Sequence, residues 1–331
     1  MRHRFDEDDI RVRPGRNKSR PRTRVRPDHA DAEPGFVVAV DRGRFTVVVD
    51  EGLKTERSLY AVKARELGRK GVLVGDRVGL VGDTSGNTDT LARIVNIKER
   101  TSLLRRTADD TDPTERNIVA NAEQLLIVQA LANPTPRIRF IDRCVIAAKT
   151  ANIDPVIILT KRDLADDADI RNIYADMGVR IFTTEIDGDV SDLAAALAGK
   201  VSAVIGHSGV GKSTLVNALV PAADRAVGHV NEVTGRGRHT STSAIAIELP
   251  TGGWIVDTPG VRSFGLGHVK AESLIDFYPE LIPGTVNCPR ACSHDEAECG
   301  LPDFVVSAGI SANRLDSYHR LLRSLVSAEE E

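Results

Sequence analysis

A chain of 331 residues is too long for one small domain and suits two or three. Its 41% hydrophobic and 27% charged residues describe a soluble globular protein, and no apolar run is long enough to span a bilayer. The formal net charge of −3 says nothing about partners, so the local distribution of charge has to be read instead.

The N-terminus is charged from its first residues and has no apolar h-region, so no secretory signal is expected and a cytoplasmic location is the default. Residues 1–34 carry no apolar periodicity. The acidic cluster Asp6, Glu7, Asp8 and Asp9 is followed by an arginine-rich stretch, Arg11 to Arg26, without an acid. Such an arm cannot bury a core and reads as disordered when free. It is either a solvated tail or a phosphate-seeking arm that orders on nucleic acid; the motifs further along the chain favour the second.

Residues 35–98 read as all-β. The runs 36–40 and 45–49 flank Asp41-Arg42-Gly43-Arg44, a hairpin signal. Further strands are expected at 59–62, 77–81 and 91–95. Five short strands separated by turns suit a small OB-type barrel. Phe36, Phe45 and Tyr60 fit a core as well as a stacking platform for bases.

From residue 117 the rhythm changes to strand and helix. Strands are expected at 125–128, 155–159, 179–183 and 201–205, with helices over 137–151, 168–177 and 189–199. This alternation predicts a doubly wound α/β sheet with ligand loops at the carboxyl ends of the strands.

The strand 201–205 runs into Gly206-His207-Ser208-Gly209-Val210-Gly211-Lys212-Ser213, and Thr214 continues into a helix. Strand, glycine-rich loop, Lys-Ser and helix form the phosphate-binding P-loop in its expected setting. The glycines let backbone N–H groups curl round a polyphosphate. Lys212 supplies charge to the β- and γ-phosphates, and Ser213 offers a hydroxyl to Mg²⁺. The competing explanation, a chance glycine turn, does not account for both flanks.

A polar, glycine-rich stretch, 221–243, contains Gly237-Arg238-His239-Thr240-Ser241-Thr242. Strands at 244–249 and 254–256 come next, the second ending at Asp257-Thr258-Pro259-Gly260. An apolar strand ending in Asp is where a P-loop NTPase holds magnesium, and Gly260 offers an N–H to the γ-phosphate. Thr160-Lys161-Arg162-Asp163, at the end of the 155–159 strand, resembles the NKxD motif that reads guanine. The Asp163 carboxylate can accept from both guanine N1–H and N2–H₂, a donor pair that adenine lacks. Thr160 stands where that motif has Asn.

Three of the four cysteines crowd into one segment with a histidine, Cys288-x3-Cys292-x-His294-x4-Cys299. Three thiolates and an imidazole make a closed tetrahedral site for one structural Zn²⁺; reduced, unliganded cysteines are the plainer alternative. Residues 303–327 read as helical, with Leu315, Tyr318, Leu322 and Leu325 in register.

The guanine motif precedes the P-loop and Asp257–Gly260 comes after it, which is a circular permutation of the usual GTPase order. With an OB-type barrel before it and a Cys/His cluster after it, the chain closely resembles the ribosome small-subunit-dependent GTPase A (RsgA/YjeQ) family over residues 35 to 325. The resemblance implies a multidomain chain: a basic arm (1–34), an OB-fold RNA-binding domain (35–98), a circularly permuted P-loop GTPase domain (99–267) and a zinc-binding helical domain (268–331). It implies a monomeric cytoplasmic GTP hydrolase, stimulated by the 30S subunit and acting in its late maturation, with 16S rRNA as a partner and no membrane. GTP and Mg²⁺ would be held by Thr160, Lys161, Asp163, Gly206 to Thr214, Asp257 and Gly260. Ser213, Asp257 and either Thr240 or Thr242 would serve the metal. Thr183-Thr184 occupies the place of the fifth, weak guanine motif. Val261 stands where Ras-like enzymes keep the water-positioning Gln, so His239 is expected, with Lys212, to serve catalysis. A P-loop kinase or ATPase acting on a small molecule, and an RNA-binding protein with GTP as a fixed ligand, are the competing readings.

Overall fold

The computed structural model describes residues 29–68, 70–87, 89–107, 116–221, 244–258, 265–266 and 269–329. The first five strands are β1 (Glu33–Asp41), β2 (Arg44–Val49), β3 (Arg57–Lys63), β4 (Arg77–Val81) and β5 (Ala92–Ile97). β1, β2 and β3 form an antiparallel meander, β3 runs parallel to β5, β5 pairs with β4, and β4 returns to β1. That circuit closes the expected OB-like barrel. Val37, Val47, Leu59, Val78, Leu80 and Ile94 fill its interior. Phe36, Val38 and Val48 point the other way and belong to a second, larger core. β1 and β2 are therefore apolar on both faces, because a second layer covers what would be the wet side of a free barrel.

A hairpin of β6 (Leu103–Arg106) and β7 (Arg116–Ala120), which the sequence did not predict, comes after the barrel. The Ala120 N–H donates to Val74 O at 3.0 Å, tying the hairpin to the barrel.

The α/β layer comprises β8 (Gln124–Ala130), α1 (Ile138–Thr150), β9 (Asp154–Thr160), α2 (Ala168–Tyr174), β10 (Arg180–Thr183), α3 (Ser191–Leu197), β11 (Lys200–Ile205), α4 (Lys212–Leu219), β12 (Ile245–Glu248) and β13 (Gly253–Asp257). Its strand order is β10-β9-β8-β11-β13-β12, parallel except for β12. Every residue of β8 is buried, its apolar run 125–128 as a strand covered on both faces requires and Gln124 and Gln129 with it. The chain winds from β8 outward through β9 and β10, then returns to β11 on the other side. This reversal opens a crevice at the carboxyl ends of the strands. Expected helices 168–177 and 189–199 are shorter: the first tightens into a 3-10 turn at Ala175–Met177, and the second is Ser191–Leu197.

β12 also pairs with β1 through Ala39 and Ile245, so barrel and α/β layer share one sheet of eleven strands. Trp254, the only tryptophan of the sequence, lies 5.0 Å from the Phe36 ring across this joint, and its indole N–H donates to Glu51.

The C-terminal region contains 3-10 helices Ala271–Phe277 and Ile282–Asn287, then α5 (Leu301–Ala308) and α6 (Ala312–Glu329). The single helical run expected over 303–327 is two helices. Gly309, at φ +68, takes the left-handed cap that ends α5. Leu315, Tyr318, Leu322 and Leu325 of α6 share one core with Ile141, Cys144 and Val145 of α1.

Candidate nucleotide site and metal centre

β11 delivers Gly206 to the centre of the crevice. Gly206 has φ +156, and a Cβ there would stand 2.5 Å from Val128 O, so no side chain fits. Gly211, at φ +89, is the residue from which α4 starts. Lys212 opens α4 and folds back over its own loop, its Nζ donating to Gly206 O at 2.5 Å and His207 O at 3.0 Å. Burial lowers the Lys212 pKa, opposed by Asp257. His207 lies against Phe140, ring centroids 4.4 Å apart, with an Arg137 guanidinium nitrogen 3.4 Å from its Nε2. Burial, then Arg137 and Lys212, lower the His207 pKa.

Asp257 closes β13 one strand away. Burial raises its pKa, and the attraction of Lys212 and the Thr258 N–H only partly offset this. Its Oδ1 is buried and has no hydrogen-bond partner among the described residues. A buried, partnerless carboxylate oxygen beside a P-loop Lys-Ser is what a hydrated divalent cation would satisfy, so the residues present fit Mg²⁺.

The guanine motif meets the P-loop directly. Thr160 is buried, and its hydroxyl donates to Val210 O at 2.6 Å. Lys161, at φ +59, donates to Asn133 O. A cavity of about 630 Å³ lies between Lys161, Asp163 and Thr160 on one side and Gly211, Ser213 and Thr214 on the other. That volume suits a nucleoside. Its further wall includes Leu164, Thr184, Glu185, Ile186, Val190 and Asn217. Of these, only Thr184 was signalled in the sequence, by Thr183-Thr184; a loop of ordinary residues after β10 has no motif of its own. Leu164 and Ile186 are apolar yet exposed, 54% and 70%, and line the same cavity as Asp163.

Thr160 therefore fills the place of the motif's Asn with a working hydrogen bond. Thr160→Val leaves a buried carbonyl unpaired, a cost of about 1–3 kcal/mol. We expect GDP affinity, measured with a fluorescent analogue, to fall about tenfold in Thr160→Val and to survive in Thr160→Ser. Equal affinities in the two variants would deny the hydroxyl this part.

Gly237 to Thr242, with His239, Thr240 and Thr242, lie outside the described residues, as do Gly260 and Val261. So does the arm up to residue 28.

The other centre is the segment 288–299. The ligand atoms of Cys288, Cys292, His294 and Cys299 all lie within 4.8 Å of one another. Cys288 Sγ is 3.8 Å from Cys299 Sγ and 3.5 Å from His294 Nδ1. A tetrahedron with Zn–S bonds of about 2.3 Å has sulfur–sulfur edges of about 3.8 Å, so the donors fit zinc in type and spacing. The His294 carbonyl accepts from His319 Nε2 at 2.9 Å, and Arg323 holds Asp295 through both carboxylate oxygens, so α6 braces the loop. Zinc bound there would cross-link the loop and supply no open coordination position.

Fold and site together define a circularly permuted P-loop GTPase that carries an OB-like barrel and a Cys3His module. The family model described as RsgA GTPase matches residues 97–267, and the small ribosomal subunit biogenesis GTPase RsgA of Chlorobaculum tepidum is 32% identical over 303 residues, 88% of this chain and 97% of that protein. The chain belongs to the RsgA GTPase family, and it is a GTP-hydrolysing enzyme. RsgA 1 of Vibrio vulnificus, a small ribosomal subunit biogenesis GTPase, is 36% identical over 239 residues, covering 69% of this chain and 67% of its own. Among solved structures, YjeQ from Thermotoga maritima matches with a TM-score of 0.67 and 26% identity over 89% of this chain and 98% of that one. YloQ, described as a circularly permuted GTPase, shares the fold at TM-score 0.66 and 22% identity, over 89% and 96% of the two chains. No helix among the described residues is long and apolar enough to cross a membrane.

Proposed function

We propose that this protein binds the 30S ribosomal subunit and assists its late maturation, hydrolysing GTP to GDP and phosphate with subunit-stimulated turnover and leaving once GTP is spent. The observation that carries the reading is the cavity that brings Asp163 to the P-loop, in a chain whose relatives are named for small-subunit biogenesis. In this reading Asp163 accepts the guanine N1–H and N2–H₂, and Leu164 and Ile186 cover the faces of the base. The N–H groups of Gly206 to Thr214 surround the phosphates with Lys212 on the β- and γ-groups. Ser213 and Asp257 hold Mg²⁺, which would neutralise charge developing on the phosphates, joined by Thr240 or Thr242; Gly260 holds the γ-phosphate. His239 orients the attacking water, because Val261 has no group to do so. Cys288, Cys292, His294 and Cys299 hold one structural zinc.

The barrel (35–98) and the basic arm reach 16S rRNA from one end of the GTPase domain (99–267), and the module (268–331) reaches the subunit from the other. Arg44 lies over the Tyr60 ring at 5.5 Å on the outer β2–β3 face, the kind of cationic and aromatic surface that RNA uses. A monomer in the cytoplasm suffices for this work.

The test is GTP turnover with and without purified 30S subunits. We expect stimulation of about 100-fold or more. His239→Ala should cut stimulated turnover about 100-fold with GTP binding nearly unchanged. Turnover indifferent to the subunit would overturn the reading, and full stimulation in His239→Ala would remove that residue from catalysis. Release also requires tighter 30S binding with a non-hydrolysable GTP analogue than with GDP, compared at fixed salt.

A further inference from the structure

One helix, α6, joins the metal loop to α1. On α6, His319 and Arg323 stand one turn apart and hold His294 O and Asp295 of the metal loop. The next residue along in each case, Arg320 and Ser324, faces α1 instead. Arg320 Nη2 donates to Asp142 at 2.9 Å, and Arg143 donates to Ser324 Oγ. Asp142 is 1% exposed and takes a second hydrogen bond, 2.8 Å, from the Tyr174 hydroxyl of α2. A buried carboxylate held by two donors sets the relative position of three helices, since moving any one strands a charge.

The amino end of α1 reaches the P-loop. Phe140, one turn or less before Asp142, packs on the His207 ring. Arg137 caps the same ring with its guanidinium and anchors its own N–H on Gln129 of β8 at 3.1 Å. His207 in turn lends its carbonyl to Lys212. Between these ends α1 is a rigid rod, with Ile141, Cys144, Val145 and Ala148 buried in the core it shares with α6.

We propose that α6 and α1 form a rigid relay from the Cys3His module to the P-loop, with Asp142 and Phe140 as positioning residues, so that engagement of the module alters nucleotide retention. The proposal rests on the GTPase reading above and adds its regulation. The relay meets the phosphate loop at His207. By linkage the coupling is reciprocal: the nucleotide must change the module's affinity for its partner by the same factor.

The experiment is the dissociation rate of a fluorescent GDP analogue from the full chain without a partner. Arg320→Gln, at the module end, and Phe140→Leu, at the P-loop end, should each speed dissociation about 3- to 10-fold, the range for residues that couple sites without touching the ligand. Because both act on one relay, the double variant should be no faster than the faster single. Asn313→Ala, exposed on α6 and away from both contacts, should match the parent. Thermal unfolding of each nucleotide-free variant separates a loosened relay from a collapsed fold. If Arg320→Gln does not fold, Ser324→Ala replaces it in the same comparison. An unchanged rate in the module-end variant, or rates that multiply in the double, overturns the relay and leaves the GTPase reading standing. A parent chain that binds no guanine nucleotide overturns both.

Discussion

Lys212→Ala removes measurable GTP hydrolysis and weakens GTP and GDP binding by about 100-fold or more. The expectation comes from where the ammonium is held. Its Nζ already sits on Gly206 O and His207 O, so the charge is fixed at the mouth of the loop before any phosphate arrives. Such preorganisation makes a cation effective, because no reorganisation is needed at the moment of reaction. Burial lowers its pKa, while nearby Asp257 favours the charged form. A phosphate chain entering the loop acts in the same direction as Asp257, so the lysine becomes more firmly protonated in the complex. Alanine deletes the charge and leaves two loop carbonyls without their donor, a further cost of about 1–3 kcal/mol to the geometry of the loop. Calorimetric titration with GDP and a phosphate-release assay check the prediction together. Retained hydrolysis in Lys212→Ala would mean that the phosphates lie elsewhere.

Cys288→Ser has the second large effect, and it falls on folding. Metal analysis of the freshly purified parent should find about one zinc per chain, and the variant should retain little of it. Cys288 and Cys299 already have their sulfurs 3.8 Å apart, and all four donor atoms lie within 4.8 Å of one another, so little rearrangement opposes binding. In an unfolded chain no such site exists, and the binding free energy of the metal is therefore folding free energy. The cost should spread beyond the loop. Cys299 lies in the same core as Leu301, Tyr318 and Leu322, which is also the core of α1. We expect a fall in the melting temperature of the whole chain, reproduced in the parent by a chelator. Thiols must lose their protons to bind metal, and burial together with the hydrogen bond to Glu296 pushes the Cys292 pKa up to about 12. Zinc affinity should accordingly weaken as pH falls. A parent chain purified with well under one zinc and an unchanged melting temperature in Cys288→Ser would count against the site.

Several features were legible in the sequence because each is local. A P-loop is a run of consecutive residues, so the strand, glycine loop and helix around Gly206 to Ser213 could be read from neighbours along the chain. The Cys3His ligands span twelve positions and needed only a turn to converge. Asp163 was recognisable by its motif and by its place at a strand end. The five barrel strands announced themselves through apolar runs and turn residues. The permuted order of the motifs was also visible, since order is a property of the chain alone.

The tertiary structure decided everything that depends on residues far apart meeting. The β6–β7 hairpin lacked a signal because Leu104, Val119 and Ala120 are buried by the neighbouring barrel and α/β layer rather than by a pattern within the strands. The apolar outer faces of β1 and β2 were ambiguous until the second core covered Phe36 and Val48. Thr160 looked like a weakened Asn; only its 2.6 Å bond to Val210, fifty residues on, made it a link between guanine loop and phosphate loop. The split between α5 and α6 rested on one glycine whose left-handed conformation no periodicity records. Asp142 carried no signal of its own in the sequence, and its meeting with Arg320 spans 178 positions. Motifs survive in sequence because their geometry is carried by neighbours along the chain. Contacts between elements do not, because many sequences satisfy the same packing and a single hydrogen bond leaves no periodic trace.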